Sequence, residues 1–99
     1  MIRFRISKNA LRELDEIFVY WATRASLEVA DRLVEAIEEH FALLAESPGI
    51  GRRCDEIAAG VRCFPAGKYL IYYRKARGSV EILHVFHGAR DQTDLTGRG

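Results

Sequence analysis

Within the first six positions of the chain, MIRFRI, apolar and basic residues alternate from Ile2 to Ile6. A period of two is typical of a half-buried strand, which predicts a first strand over Met1 to Ile6. Beyond it the apolar residues recur at spacings of three and four, the period of an amphipathic helix. Two such stripes predict one helix from Lys8 to Arg24 and a second from about Leu27 to Glu46. Ser7 and Ser26 directly precede them, where a hydroxyl can accept the free N–H groups of a first turn.

Short runs rich in Val, Ile, Leu, Phe and Tyr predict three further strands after the helices. The runs are Val61 to Phe64, Lys68 to Arg74 and Val80 to His87. The segment GIGRRCDEIAAG over residues 49–60 has no clear period and three glycines, so we expect a loop there. The short connection between the two amphipathic helices predicts an antiparallel hairpin. The order β-α-α-β-β-β therefore predicts an α+β fold, in which the helical hairpin packs on a four-stranded antiparallel sheet.

The size and composition of the chain are those of one ordinary globular domain. It has 99 residues, of which 48% are hydrophobic and 29% are charged. We expect a single domain over residues 1–99, with a mobile polar tail over residues 92–99. The longest uncharged apolar stretch, Ile17 to Ala22, is far too short to span a bilayer, and the N-terminus has no signal-peptide pattern. A cytoplasmic location is therefore expected, with no membrane partner.

Residues with metal-binding or catalytic potential are few and poorly spaced. Cys54 and Cys63 have no CxxC spacing, which favours reduced thiols over a zinc site or a disulfide framework. His84 and His87 lie three apart on one predicted strand, so their side chains point to opposite faces and cannot share a metal. No phosphate-binding glycine loop is present, and the serines lie at cap and turn positions. We expect no metal, no cofactor and no nucleophilic catalysis.

Positive charge is concentrated in one part of the chain. The formal net charge is only +1, yet residues 52–77 contain seven Lys and Arg against two Asp and Glu. Tyr69, Tyr72 and Tyr73 lie among these cations. A basic and aromatic surface suits nucleic-acid contact and also suits anchoring in a protein interface. The alternative is that the tyrosines belong to the core of the sheet.

Four segments, read in order, resemble the ParE branch of the RelE/ParE toxins of bacterial type II toxin-antitoxin systems. They are SKNALRELDEIFVYWATRAS, ADRLVEAIEEHFALLAESPGIGR, GVRCFPAGKYLIYYR and VEILHVFHGARD. The resemblance covers roughly residues 3–95, and its most specific pieces are SPGIGR and the closing HGARD. It implies a toxin that is not itself an enzyme and that acts on DNA gyrase. It also implies a ParD-like antitoxin, whose C-terminal segment wraps around the toxin and holds it inactive.

Six residues are candidates for these two interfaces. A gyrase interface on a basic sheet edge and on the end of the last strand would use Arg62, Arg74, His87 and Arg90. An antitoxin interface needs apolar surface that the monomer leaves exposed, and Val19 and Tyr20 lie off the main stripe of the first helix. The alternative for these two is a broad core face.

The related RelE branch gives a second functional hypothesis, a ribosome-dependent messenger RNA endonuclease. The residues available for that chemistry are Lys68, Arg62, His87 and Arg90. Two departures from the nuclease pattern favour the non-enzymatic branch. Tyr69 stands where the nuclease branch often has Arg, and Leu95 aligns with its C-terminal tyrosine. A third hypothesis is a family member without toxicity that only binds an antitoxin.

Overall fold

The computed structural model describes residues 4–88, which form two helices and one five-stranded sheet. In chain order the elements are β1 (Phe4–Ile6), α1 (Lys8–Arg24), α2 (Leu27–Glu46), β2 (Arg52–Arg53), β3 (Val61–Ala66), β4 (Tyr69–Ala76) and β5 (Ser79–His87). The order of strands across the sheet is β1-β5-β4-β3-β2. The expected tail over residues 92–99 and the first three residues of the predicted first strand lie outside the described residues.

Both predicted helices are confirmed, and each begins and ends at the predicted residue. The Ser7 hydroxyl accepts a hydrogen bond from the Ala10 amide at 3.0 Å, and the Ser26 hydroxyl accepts one from the Val29 amide at 3.1 Å. These caps satisfy N–H groups that have no partner within the helix. No helix within residues 4–88 is both long enough and apolar enough to cross a membrane.

The predicted sheet is wrong in the number of its strands and in the direction of one of them. β1 pairs in parallel with β5, with Phe4 opposite Val80. Alternation of residue type predicts a strand but not its neighbour, and the helical hairpin after β1 supplies part of the long connection that a parallel pair needs. β2 pairs antiparallel with β3, with Arg52 opposite Cys63, inside the segment predicted to be a loop. A strand of two residues is too short to display a period.

Two tight hairpins join the last three strands, as the sequence predicts. Ala66 lies opposite Tyr69 in the first hairpin, and Ala76 lies opposite Ser79 in the second. Each turn contains a glycine with positive φ, a conformation that residues with a Cβ rarely adopt. All three strands extend one or two residues beyond at least one predicted end, because pairing continues up to the turns.

Two apolar clusters cover the two faces of the sheet. The helices pack on one face, where the largest fully buried side chains are Tyr73, Phe41, Ile37, Leu44, Ile71 and Ile82. Residues 54–57 pack on the other face, in a smaller cluster of Cys54, Val61, Cys63 and Tyr72 with Ile57, Leu70, Leu83 and Phe86. The idea of a tyrosine-bearing cationic surface is therefore wrong, and the alternative is confirmed: Tyr69, Tyr72 and Tyr73 are all buried. A sheet covered on both faces takes its aromatic residues into the core.

Candidate functional site

The three candidate gyrase-binding residues that the structure describes lie at two ends of the sheet rather than in one place. Arg74 lies opposite Val61, which adjoins Arg62, whereas His87 lies opposite Tyr69 at the other end of β4. Five residue-to-residue steps along β4 separate Tyr69 from Arg74, which is roughly 17 Å at about 3.4 Å per step. Arg90 lies outside the described residues. The structure therefore places two separate surfaces on the molecule.

The first surface is a pocket of about 350 Å³ at the end of β4 that leads into the turn to β5, beside the loop after β2. We call it the cationic corner and define it by Arg53, Arg62, Arg74 and Lys75, which line it. β2, β3 and β4 are neighbours in the sheet, so pairing brings together arginines that are far apart in sequence. Such a concentration of guanidinium groups suits a carboxylate or phosphate partner.

Local contacts orient the arginines of the cationic corner. Arg62 donates to the Gly51 carbonyl at 2.7 Å, Arg53 pairs with Asp55 at 2.8 Å, and Arg74 pairs with Glu81 at 3.2 Å. Hydrogen bonds from the Gly60 amide and from the Arg53 guanidinium lower the pKa of the Asp55 carboxyl. Both ion pairs lie at the surface, although the Glu81 side chain is only 21% exposed, so they fix direction and contribute little to stability.

The second surface is a groove of about 610 Å³ between α1 and the end of β5. We call it the α1–β5 groove. Its lining residues are Arg12, Glu13, Glu16, Ile17, Tyr20, Trp21, Lys68, Tyr69, Val85, Phe86 and His87. It therefore combines one candidate antitoxin residue, Tyr20, with one candidate gyrase residue, His87.

Aromatic side chains give the α1–β5 groove a fixed shape. The Trp21 indole donates to the Tyr69 hydroxyl at 3.0 Å, and the rings of Tyr69 and His87 meet edge to face at 5.5 Å. The Arg24 guanidinium lies over the Tyr20 ring, 4.3 Å from its centroid. Such contacts hold rings in place with little loss of entropy when a partner binds.

A buried carboxylate beneath this groove was not singled out from the sequence. The Glu13 carboxylate accepts a hydrogen bond from the Val85 amide at 2.9 Å and contacts Nδ1 of His84 at 2.9 Å. It thereby accepts a hydrogen bond from a backbone N–H of β5 that lies beyond the end of β1 and has no strand partner there. Its position in the sequence held a signal, since Glu13 lies three residues after Ala10 and four before Ile17, within the apolar stripe of α1.

The two candidate antitoxin residues are exposed but do not form one patch. Val19 is 58% exposed and Tyr20 is 46% exposed. Consecutive residues of an α-helix point about 100° apart, so only Tyr20 faces the α1–β5 groove. A partner that contacts both must follow the surface of α1 around its axis.

The SPGIGR segment has a structural role in this fold. The buried Tyr73 hydroxyl accepts a hydrogen bond from the Gly51 amide at 2.9 Å and donates one to the Pro48 carbonyl at 2.8 Å. A Cβ on Gly51 would collide with the Tyr73 hydroxyl and would lie 2.9 Å from the Cys63 carbonyl oxygen. Burial raises the pKa of the Tyr73 hydroxyl. The motif thus anchors the chain between α2 and β2, and its Gly51 carbonyl orients Arg62.

The histidines have separate surroundings, as the sequence predicts. His84 lies opposite Tyr72 and stacks on Phe86, whereas His87 packs on Tyr69. Within residues 4–88, no group of three or more His, Cys, Asp or Glu side chains is arranged to hold a metal ion.

Comparison with known proteins gives consistent matches along the chain. The family model described as "ParE toxin of type II toxin-antitoxin system, parDE" matches residues 4–92. The chain is 31% identical to Toxin ParE1 of Caulobacter vibrioides over 84 residues, which are 85% of this chain and 86% of that protein. It is 30% identical to Toxin ParE1 of Mycobacterium tuberculosis over 90 residues, which are 90% of this chain and 92% of that protein.

A solved structure supports the fold independently. A chain of the chromosomal ParDE TA system from P. aeruginosa superposes with a TM-score of 0.77 at 20% identity. The match covers 88% of this chain and 96% of that chain. At this identity the likeness establishes the shared fold.

Proposed function

Since this chain belongs to the ParE toxin family of type II toxin-antitoxin systems, we propose that it inhibits DNA gyrase by direct binding and that a ParD-like antitoxin holds it inactive. The observation that carries this proposal is the separation of its candidate target residues. Arg62 and Arg74 line the cationic corner, and His87 lines the α1–β5 groove, roughly 17 Å away along β4. General acid-base catalysis needs its groups within hydrogen-bond reach of one substrate. Two separated surfaces suit a large partner instead.

The cationic corner is proposed as the part of the toxin that recognises gyrase by charge. The Arg53 and Arg74 guanidinium groups are exposed and already oriented, so a carboxylate or phosphate partner can replace Asp55 or Glu81 with little reorganisation. Charge pairs of this kind steer association and set orientation. We therefore expect salt to weaken the interaction.

The α1–β5 groove is proposed as the place where the antitoxin and the target compete. Tyr20 and His87 line the same groove, so a segment that covers Tyr20 also covers His87. Val19 points about 100° away from Tyr20 on the same helix, and an antitoxin that contacts both must wrap around α1. Neutralisation then follows from direct obstruction and needs no change in the fold of the toxin.

A gyrase supercoiling assay with antitoxin-free protein tests the proposal. We expect slower supercoiling and more gyrase–DNA cleavage complexes, and we expect Arg74→Ala to weaken both effects. The matched control is Arg32→Ala, which removes a similarly exposed arginine paired with Glu28 and lining neither surface. Unchanged gyrase activity at saturating protein would refute the proposal.

One observation keeps the endonuclease hypothesis as a second candidate. Lys68 and His87 line the same groove, beside Glu16, and these are side chains that can move protons or stabilise a phosphate. That hypothesis predicts cleaved messenger RNA in a translation extract and loss of cleavage in Lys68→Ala. Intact messages at high dose would remove it. Normal growth on induction of the lone gene would leave only the hypothesis of a non-toxic antitoxin-binding module.

A further inference from the structure

The two cysteines of the chain lie in direct contact, and each directly follows an arginine of the cationic corner. Cys54 follows β2, and Cys63 lies in β3 opposite Arg52. The Cys54 thiol donates to the Cys63 sulfur at 3.0 Å, and both residues are free thiols. The Cys54 amide donates to the Val61 carbonyl at 2.8 Å, which fixes the backbone on one side of the pair. The two sulfurs therefore face each other where the chain leaves β2 beside β3.

We propose that Cys54 and Cys63 are a site of reversible oxidation, at which a hydroperoxide converts the two thiols into an intrachain disulfide. The S–S bond length is about 2.05 Å, so the sulfurs need to approach by only about 1 Å. The ten residues that the bond would enclose contain the Gly60 turn, which can absorb such a shift. This proposal does not depend on the identity of the toxin's target.

The surroundings of the two sulfurs assign them different roles. The Cys63 sulfur accepts hydrogen bonds from the Cys54 thiol and from Nη2 of Arg52, the latter at 3.3 Å. Electrostatic attraction to the Cys63 sulfur is the main cause of a raised pKa of the Arg52 guanidinium. Burial and the hydrogen bond to Cys63 raise the pKa of Cys54 to about 12, so that thiol keeps its proton. The contact with the Arg52 guanidinium, which would stabilise a thiolate, assigns the role of nucleophile to Cys63 and leaves Cys54 as the resolving thiol.

The reaction proceeds in two balanced steps. The Cys63 thiolate attacks one oxygen of hydrogen peroxide; an S–O bond forms, the O–O bond breaks, and hydroxide leaves, giving a sulfenic acid on Cys63. The sulfur of Cys54 then attacks the Cys63 sulfur and gives up its proton, and the hydroxyl of the sulfenic acid leaves with that proton as water. The two thiols together lose two electrons, which reduce the peroxide to water. A dithiol reductant reverses the change.

Access to the pair depends on one side chain. Cys54 is 1% exposed and Cys63 is 3% exposed, which excludes large reagents. The Arg52 side chain that contacts Cys63 is 58% exposed, and its ion pair with Glu56 is long, at 3.8 Å. We therefore expect that movement of the exposed Arg52 side chain admits an oxidant as small as hydrogen peroxide.

Oxidation would act directly on the cationic corner. Arg53 immediately precedes Cys54, and Arg62 immediately precedes Cys63. A covalent bond between the two cysteines would therefore link the segment that carries Arg53 to the strand that carries Arg62. The disulfide also restricts the unfolded chain, so the oxidised protein should unfold at a higher temperature.

Treatment of the folded chain with hydrogen peroxide tests the proposal. We expect the intact mass to fall by two hydrogens, a peptide map that joins Cys54 to Cys63, and full reversal by dithiothreitol. In Cys54→Ser we expect the reaction to stop at a sulfenic acid on Cys63, which dimedone traps. Arg52→Met should react about tenfold more slowly than the natural chain. Arg53→Met is the matched control, because Arg53 contacts Asp55 rather than a sulfur.

Four results would overturn the proposal, provided that circular dichroism shows each variant folded. The first is that peroxide leaves the thiols of the folded chain unchanged under conditions that oxidise the urea-unfolded chain, and the second is that disulfides form only between chains. The third is that dimedone traps Cys54 in place of Cys63, and the fourth is that Arg52→Met and Arg53→Met react at equal rates. If Arg52→Met fails to fold, Arg52→Lys replaces it and should react at an intermediate rate.

Discussion

The α1–β5 groove and the cationic corner differ in how the fold holds their side chains. The groove is built from residues that also belong to the core, such as Tyr69, which is buried and hydrogen-bonded to Trp21. The corner is built largely from surface arginines that pair with surface carboxylates, such as Arg53 with Asp55. Stability and recognition are therefore coupled in the groove and largely separable at the corner.

The largest combined loss of stability and of binding is expected from Tyr69→Ala in the groove. Removal of a buried aromatic ring from the core costs about 3–5 kcal/mol, so the free energy of unfolding should fall by that order. Antitoxin binding should weaken at the same time, because the floor of the groove is lost. Urea unfolding followed by fluorescence, with antitoxin binding by calorimetry, measures both. Tyr69→Phe keeps the ring and should cost only about 1 kcal/mol; equal losses in the two variants would contradict the packing account.

Gly51→Ala tests whether the segment that orients Arg62 contributes more to the free energy of unfolding than the arginines of the corner do. A methyl group there meets the Tyr73 hydroxyl and the Cys63 carbonyl, and overpacking of this kind costs about 1–3 kcal/mol. The matched control is Gly49→Ala, since a Cβ at Gly49 meets nothing within 4 Å. We expect the control to unfold within about 0.5 kcal/mol of the natural chain. A stable Gly51→Ala would show that the SPGIGR anchor tolerates extra volume.

Alkaline pH should destabilise the face of the sheet beneath the corner. Burial and the hydrogen bond to Cys63 raise the pKa of Cys54 from 9.0 to about 12, so the folded state keeps a proton that the unfolded chain releases. The contribution of this proton to the free energy of unfolding is fully present below pH 9. It is lost as the pH rises toward 12, by about 1 kcal/mol per pH unit where the dependence is steepest. The raised pKa of Tyr73 acts in the same direction above pH 10.

Denaturant unfolding between pH 8 and pH 11, under reducing conditions, checks this dependence. Cys54→Ser lacks the titrating thiol, so its stability should fall less steeply over that range. Parallel slopes for the two proteins would contradict the assignment to Cys54.

The smallest effect on stability is expected from Arg74→Ala. An exposed ion pair contributes about 0.2–1 kcal/mol, and the unfolding free energy should change by no more than that. Inhibition of gyrase should nevertheless weaken, and its dependence on salt should become shallower. A comparison of supercoiling rates at two salt concentrations measures both. A large loss of stability would show that stability and recognition are coupled at Arg74, as they are in the groove.

The parts of the fold that depend on local signals could be predicted from the sequence. Both helices follow from apolar spacing and from the serine caps, and both hairpins follow from glycine turns. The parallel pairing of β1 with β5 could not be predicted, because it joins Phe4 to Val80 across most of the chain. The two-residue β2 has no period to detect, and it brings Cys54 to Cys63.

The candidate site shows the same division. The basic character of residues 52–77 is visible in the sequence, but the separation of Arg74 from His87 is set by their places at opposite ends of the sheet. The α1–β5 groove is formed by elements far apart in the chain, so no motif marks it. Glu13 is the exception, because a carboxylate within an apolar helical stripe is itself a signal.

The most direct test of the central claim is the rate of gyrase supercoiling measured against the molar ratio of antitoxin-free protein to gyrase. Binding without turnover predicts that the degree of inhibition follows this ratio, stays the same after longer preincubation, and is reversed when the antitoxin is added. Inhibition that deepens with time at a small fraction of the gyrase concentration, or that persists after the antitoxin is added, would contradict it.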